Sequence, residues 1–375
     1  MERFPRRDRL LFLSSIAVPH QIKLCEALQP YFDAEFWFYE HPDRTRGAWW
    51  RIDLGPNCRV LDQVRFVPSG LLQGRYVVTG LSRLIEDFDP DVVMLGGFSI
   101  PANYSAYRWA RRNGRRTVVL TERSRDSKGH LRSNGPAWRA IRHLYRDVDL
   151  VMTTSEDIVP QFRDEFGFGD AVVAGRYAAD IDDYLNHPIR GAKDAYTLLF
   201  ANRMTEIYNP IGAIEIFAAV RDRHPGTRLA MNAAGELGSR CRQRIDELGL
   251  AGDVEFLTGL KSWEDLSDVY AHSDILILPA CFSNGNFTIL EAMASGMGVV
   301  VSDRVLGVGT LVEDGKNGFR CAPTTDAFVE RVERYVRDPS LFEDHAIRNR
   351  SLVAPLGVAG TARFYADLLA ERLRA

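Results

Sequence analysis

Short apolar runs alternate with amphipathic helical patterns along the whole chain, and this alternation predicts parallel sheets assembled from βαβ units. In the first half the runs Leu10–Ala17, Ala34–Tyr39, Asp91–Leu95, Thr117–Thr121, Asp149–Thr154 and Ala171–Ala174 are read as strands. Helical patterns at Gln21–Leu28, Pro101–Arg112 and Glu156–Phe166 lie between them. A polar stretch, Ala178–Asp194, carries the acidic run Asp180–Asp183, His187-Pro188 and Gly191, and reads as a linker. The pattern then restarts with strands at Thr197–Ala201, Arg228–Asn232, Val254–Leu257, Ile275–Leu278 and Val299–Ser302. Helices are expected at Ile211–Arg223, Arg240–Leu248, Trp263–Ala271 and Phe287–Ser295. The expected fold class is α/β with two doubly wound, Rossmann-like domains facing a cleft, covering residues 1–185 and 195–356. Ligands of such sheets bind beyond the carboxyl ends of the strands.

A length of 375 residues exceeds the usual single core and agrees with two domains. A net charge of -3 gives no bulk affinity for nucleic acid. Cys25, Cys58, Cys241, Cys281 and Cys321 show no CxxC spacing and read as small buried hydrophobes in a reducing compartment. The basic, then apolar N-terminus imitates a signal peptide but runs directly into a helical pattern, so a first strand is expected instead. No stretch reaches the roughly 18 apolar residues that span a bilayer. The expected location is cytoplasmic, peripheral at most to the inner face of a membrane.

Charge is uneven. Between Ser99 and Arg146 twelve Lys or Arg residues face only Glu122 and Asp126. Such a cluster reads as a solvated helix face or as a positive surface for an anionic acceptor or anionic lipid headgroups. The apolar pairs Trp49-Trp50 and Leu71-Leu72 are candidate membrane anchors. The pairs Asp89/Asp91 and Asp147/Asp149 have the DxD spacing of metal sites. They flank strand starts, the wrong end of the sheet for a site, and read as capping groups, so no metal is expected.

The segment after Ile275–Leu278 carries the most chemistry. Asn284-Gly285-Asn286 predicts a tight turn ahead of a helix, with Asn284 or Asn286 as its N-cap. Free amides near Asn286, Phe287 and Thr288 would form an anion site suited to a diphosphate. Glu291 lies one helical turn onward, on the face shared with Phe287 and Thr288, where a carboxylate can accept from vicinal hydroxyls. The competing reading is an exposed acid on an ordinary amphipathic helix. The run ACFSNGNFTILEAMASGMGVVVSD, followed by EDGKNGF, resembles glycosyltransferase family 4, whose C-terminal domain carries two glutamates separated by seven residues. The resemblance covers the second half specifically and the first half mainly in architecture. It implies a GT-B fold and assigns Glu291 to the nucleotide ribose. The first family glutamate falls on Ser283, so Ser283, Asn284 and Asn286 become an uncharged reader of the donor sugar.

A second landmark of that family is Gly-Arg followed by Lys-Gly, which here reads LLFANRMTEIYNP. The resemblance places Arg203 on the donor diphosphate and Tyr208 where the lysine falls, a phenol that donates one hydrogen bond without charge. Lys261 is either a nucleobase neighbour or a solvated lysine. In the first half, His20 follows the first strand as a cleft or structural histidine. Arg123 falls where relatives carry a cleft histidine; it and Glu122 either orient the acceptor or form an internal ion pair. The resemblance implies a retaining transfer from a UDP- or GDP-sugar to a glycan or lipid-linked acceptor, with no cofactor. An epimerase on the same fold, a phosphorylase, and a noncatalytic sugar-nucleotide-binding protein are the rivals. The closing pattern, Gly357–Ala375, is expected as a helix of the first domain.

Overall fold

The computed structural model describes residues 7–41, 52–62, 64–66, 76–122, 135–262, 264–283 and 287–373. They form two compact units. The first runs to Ala178 and resumes at Val358; the second holds Ala179–Gly357.

The first unit contains β1 (Arg9–Ile16), α1 (Pro19–Leu28), β2 (Asp33–Glu40), β3 (Cys58–Val60), β4 (Val64–Phe66), β5 (Tyr76–Val78), α2 (Leu81–Phe88), β6 (Val92–Gly96), α3 (Pro101–Arg112), β7 (Arg116–Thr121), α4 (Pro136–Leu144), β8 (Leu150–Thr153) and β9 (Val172–Ala174). Seven strands make a parallel sheet in the order β3-β2-β1-β6-β7-β8-β9, while β4 and β5 pair as an antiparallel ribbon. Successive residues of β1 serve opposite faces: Leu11 and Leu13 join one core, Leu10 and Phe12 the other. Burial on both faces is why these strands read as continuous apolar runs.

The second unit repeats the plan with β10 (Thr197–Phe200), α5 (Pro210–Arg223), β11 (Arg228–Asn232), α6 (Gly238–Glu247), β12 (Val254–Leu257), α7 (Asp265–His272), β13 (Ile275–Leu278), α8 (Phe287–Ala294), β14 (Gly298–Ser302), α9 (Val308–Leu311), β15 (Phe319–Cys321), α10 (Thr325–Arg337) and α11 (Ser340–Val353). Its parallel sheet has the order β12-β11-β10-β13-β14-β15. In both sheets the order reverses beside the first strand, between β1 and β6 and between β10 and β13. That is the switch point where doubly wound sheets bind ligands. A last helix, α12 (Val358–Leu373), packs on α1 in the first unit, and Tyr365 Oη donates to Arg176 O at 2.5 Å.

Three readings change. The helix expected over Glu156–Phe166 is present over 156–165 but irregular: a 3₁₀ turn, Glu156–Ile158, continues through Val159 and Pro160 into a π-type turn, Gln161–Glu165, as Pro160 cannot donate to the i→i−4 ladder. Cys281 is exposed, whereas Cys25, Cys58 and Cys241 are buried as expected. The stretch read as a linker is packed structure: Ile181, Tyr184 and Arg190 are buried. Arg190 donates to the carbonyls of Pro188, Ser273, Ser295 and Tyr270. Arg350 adds hydrogen bonds to Ala294 O and His187 O. The two guanidinium groups thereby satisfy the orphan carbonyls where α7 and α8 end, and oppose the negative ends of both helix dipoles. Polar composition marks a linker in sequence, but here it supplies donors to a buried helix-end junction.

Candidate nucleotide-binding site

The candidate site of the second unit is built on the carboxyl ends of β10 and β13. After β10 the chain crosses Asn202 and Arg203, makes a 3₁₀ turn at Glu206–Tyr208, and enters α5. Asn209 adopts φ 55° and ψ 56°, a left-handed conformation that asparagine tolerates better than most residues, and its Oδ1 accepts from Gly212 N at 3.1 Å. Pro210 then opens the helix where no donor is needed. The Arg203 segment is held by the loop after β11: Met204 N donates to Ala234 O at 2.7 Å and Leu237 N to Met204 O at 2.9 Å. Gly235 has φ +138°, and a Cβ there would lie 2.4 Å from Met204 O, so this approach requires glycine.

The loop after β13 is tied to the first. Cys281 N donates to Ile207 O at 2.8 Å and Phe282 N to the same oxygen at 3.2 Å. These bonds bring the Arg203 segment and the approach to α8 together across the switch point. Arg203 is exposed, and none of the described carboxylates pairs with it. Tyr208 is half-buried against the apolar clusters on both sides of the sheet. Ser283 is 2% exposed, and its carbonyl accepts from Leu306 N at 3.0 Å. Asn284, Gly285 and Asn286 lie outside the described residues. Phe287 and Thr288, half-buried, open α8.

Glu291 differs from an exposed acid on an amphipathic helix. It is 6% exposed on a helix buried throughout Ile289–Ala294. Tyr270 Oη donates to Glu291 Oε2 at 2.5 Å. Burial, opposed by that bond and reinforced by the negative charge of Asp180, pushes the Glu291 carboxyl up to about 7. Tyr184, from the former linker, sets its ring edge-on to Tyr270 at 5.3 Å. Tyr270 and Asp180 carry no signal in sequence, because only the fold brings them to α8. Lys261 is exposed and sits at the start of a cap: its N–H and that of Ser262 donate to Asp265 Oδ2, holding that carboxyl below its ordinary range.

In the first unit, His20 is half-buried on the first turn of α1, beyond the end of β1, and Ser14 Oγ accepts from Gln21 Nε2 at 3.1 Å. Glu122 is exposed after β7 and accepts a hydrogen bond from Tyr177. Arg123, Trp49-Trp50 and Leu71-Leu72 lie outside the described residues.

The acidic pairs act at the amino-terminal edge. Asp91 accepts from Arg9 N at 2.9 Å, and Asp149 from Thr117 N at 2.8 Å. Their ion pairs also alter the basic cluster: Arg111 and Arg116 pair with Asp149, Arg115 with Asp89 and Asp91, and Arg146 with Asp147. The linear count misses these acids, which the fold places beside the arginines, at the edge opposite the strands' carboxyl ends.

Residues 185–351 match the family described as glycosyl transferases group 1, and residues 24–174 match the glycosyl transferase 4-like domain. An alpha-D-kanosaminyltransferase of Streptomyces kanamyceticus is 27% identical over 257 residues, 67% of this chain and 59% of that protein. An exopolysaccharide phosphotransferase of Streptomyces coelicolor is 26% identical over 187 residues, 49% of this chain and 18% of that protein. The chain thus spans less than two thirds of these curated relatives. A solved glycosyltransferase from Rickettsia africae superposes with TM-score 0.75 at 13% identity, covering 99% of this chain and all of that one. Anabaena HepE, solved with UDP and glucose, gives 0.72 at 17%, covering 97% of this chain and 100% of that one. Two parallel Rossmann-like units with these neighbours define a GT-B fold. The chain belongs to the glycosyltransferase family 4 type.

Proposed function

We propose that this chain is a retaining glycosyltransferase that moves a sugar from a nucleoside-diphosphate sugar to a hydroxyl of a glycan or lipid-linked acceptor, in surface polysaccharide or glycoconjugate synthesis. The observation that carries the reading is the switch point of the second unit. There an exposed Arg203, with no described carboxylate partner, and the entry to α8 stand on two loops joined through Ile207 O. A cation and a helix N-terminus are the groups that stabilise a departing diphosphate. Neighbours solved with UDP and a sugar support a nucleotide-sugar donor.

In this reading the acceptor oxygen bonds to the anomeric carbon on the face that the leaving group vacates. The bond from that carbon to the diphosphate oxygen breaks, and the acceptor proton passes to the diphosphate. The protein supplies position and charge stabilisation. Glu291 accepts from the ribose hydroxyls, Tyr208 donates to a phosphate oxygen, and Ser283–Asn286 reads the donor sugar. His20, Glu122 and Arg123 serve the acceptor, while Lys261 stands near the nucleobase.

A panel of nucleotide sugars tests the reading. Nucleotide release that requires an acceptor supports transfer; epimer formation, or binding without turnover in the presence of any acceptor, overturns it. The sugar-reader role of Ser283 fails if Ser283→Ala leaves donor choice and turnover unchanged. Among the described residues no helix is long and apolar enough to cross a membrane. Arg108 and Arg112, exposed on α3 and paired with none of the described carboxylates, favour peripheral binding to an anionic surface. Absence of flotation with anionic liposomes at low salt would remove that part.

A further inference from the structure

We infer that Tyr270 is a positioning residue for nucleotide recognition: its phenol holds one oxygen of Glu291, leaving the other to accept from the ribose. The inference rests on the ribose role of Glu291. It adds a residue from a different helix that neither sequence motif includes.

Three observations carry it. The contact is direct and dry: Tyr270 Oη to Glu291 Oε2 at 2.5 Å, with Tyr270 fully buried and Glu291 6% exposed. The ring is itself fixed, edge-on to Tyr184, and the backbone of α7 at Tyr270 O is held by Arg190. Tyr270 donates a neutral hydrogen bond that lowers the cost of charging this buried carboxyl, while Asp180 raises that cost. The titratable groups facing Glu291 are therefore Tyr270 from α7, and Asp180 and Tyr184 from the 179–186 segment. An ionised carboxylate accepts from two vicinal hydroxyls, whereas a protonated one gives up an acceptor position. Nucleotide affinity should consequently rise with pH through neutrality, and the phenol sets where that rise occurs.

The test is calorimetric titration of the full chain with UDP and with GDP between pH 6 and 9, alongside turnover at saturating donor. Tyr270→Phe keeps the ring packing and removes the donor. Affinity for the nucleotide that binds should fall about tenfold at pH 7, the order expected for losing a hydrogen bond to a charged group. The pH profile should move alkaline, much of the affinity should return at pH 9, and kcat should hold while the donor KM rises. Glu291→Gln, which keeps an acceptor for Tyr270, should bind weakly and with a flat profile. A Tyr270→Phe profile superimposable on that of the unaltered protein, or an equal loss at every pH, overturns the positioning role alone. Unchanged affinity in Glu291→Ala overturns the ribose reading beneath it.

Discussion

In the first unit the central strand begins at Arg9, whose backbone N–H donates to Asp91 Oδ2 at 2.9 Å, the aspartate that precedes β6. In the second the central strand begins at Thr197, whose N–H donates to Asp274 Oδ2 at 2.8 Å, the aspartate that precedes β13. Both units therefore pin the same pair of strands, those flanking the switch point, with a carboxylate at the amino-terminal edge. The surroundings differ. The Asp91 side chain is 35% exposed and pairs with Arg115 at 3.1 Å, whereas that of Asp274 is 2% exposed and pairs with Lys193 at 2.6 Å. At the opposite edge, the second unit gathers Arg203, Tyr208, Ser283 and α8, while the first presents the half-buried His20 and the Glu122–Tyr177 pair. One scaffold thus keeps its amino-terminal ties in both copies and places its distinctive chemistry at the carboxyl ends, where side chains can vary without breaking the sheet.

The comparison is broken most sharply at Asp274. Asp274→Ala removes two charge-assisted hydrogen bonds, from the strand-start N–H of Thr197 and from Lys193, and should lower unfolding free energy by about 3 kcal/mol in a denaturant titration. A cost below about 1 kcal/mol would show that burial makes no difference between the two aspartates. Next is Arg203→Ala, expected to reduce kcat/KM roughly 10²–10³-fold, as for loss of a preorganised group at a developing anion, with little change in the unfolding midpoint. Retained activity would move the diphosphate site away from the end of β10.

The third prediction concerns pH. The Glu291 carboxyl is raised from 4.5 to about 7, so the folded state holds a proton that the unfolded chain releases. Its contribution to stability is complete below pH 4.5 and is lost as pH rises through about 7. At about 1.4 kcal/mol per unit, Glu291→Gln should stabilise the ligand-free protein by roughly 3 kcal/mol at pH 8 and by almost nothing near pH 4.5. An equal effect at both values would show that Glu291 is solvated. The smallest change is expected at Asp91→Ala, about 1 kcal/mol, because its ion pair is exposed to solvent and salt. Adding 0.5 M salt should shrink that effect and leave the Asp274 one largely intact.

Much of the fold was legible because parallel strands buried on both faces leave apolar runs such as Leu198–Phe200 and Ile275–Leu278 that nothing else in a polar chain imitates. The short edge strands β3 and β15 have no such signature; their three residues pair because a neighbouring strand offers its free edge. The same limit applies to the site. Arg203 and Glu291 could be picked out because local sequence sets them after a strand and on a helix. Tyr270, Asp180 and Arg190 could not, since their roles arise from contacts distant in the chain, 21 positions away for Tyr270 with Glu291 and 105 for Arg190 with Ser295.

Periodicity and local propensity alone determined two doubly wound units, the switch-point loops, and the residue types available at each strand end. Tertiary structure decided what those groups became. It turned a polar linker into a helix-end clamp, paired basic residues with acids from neighbouring strands, and buried Glu291 beneath Tyr270. The physical reason is that propensity acts over a few neighbouring residues, whereas desolvation and charge pairing depend on which distant surfaces are brought into contact.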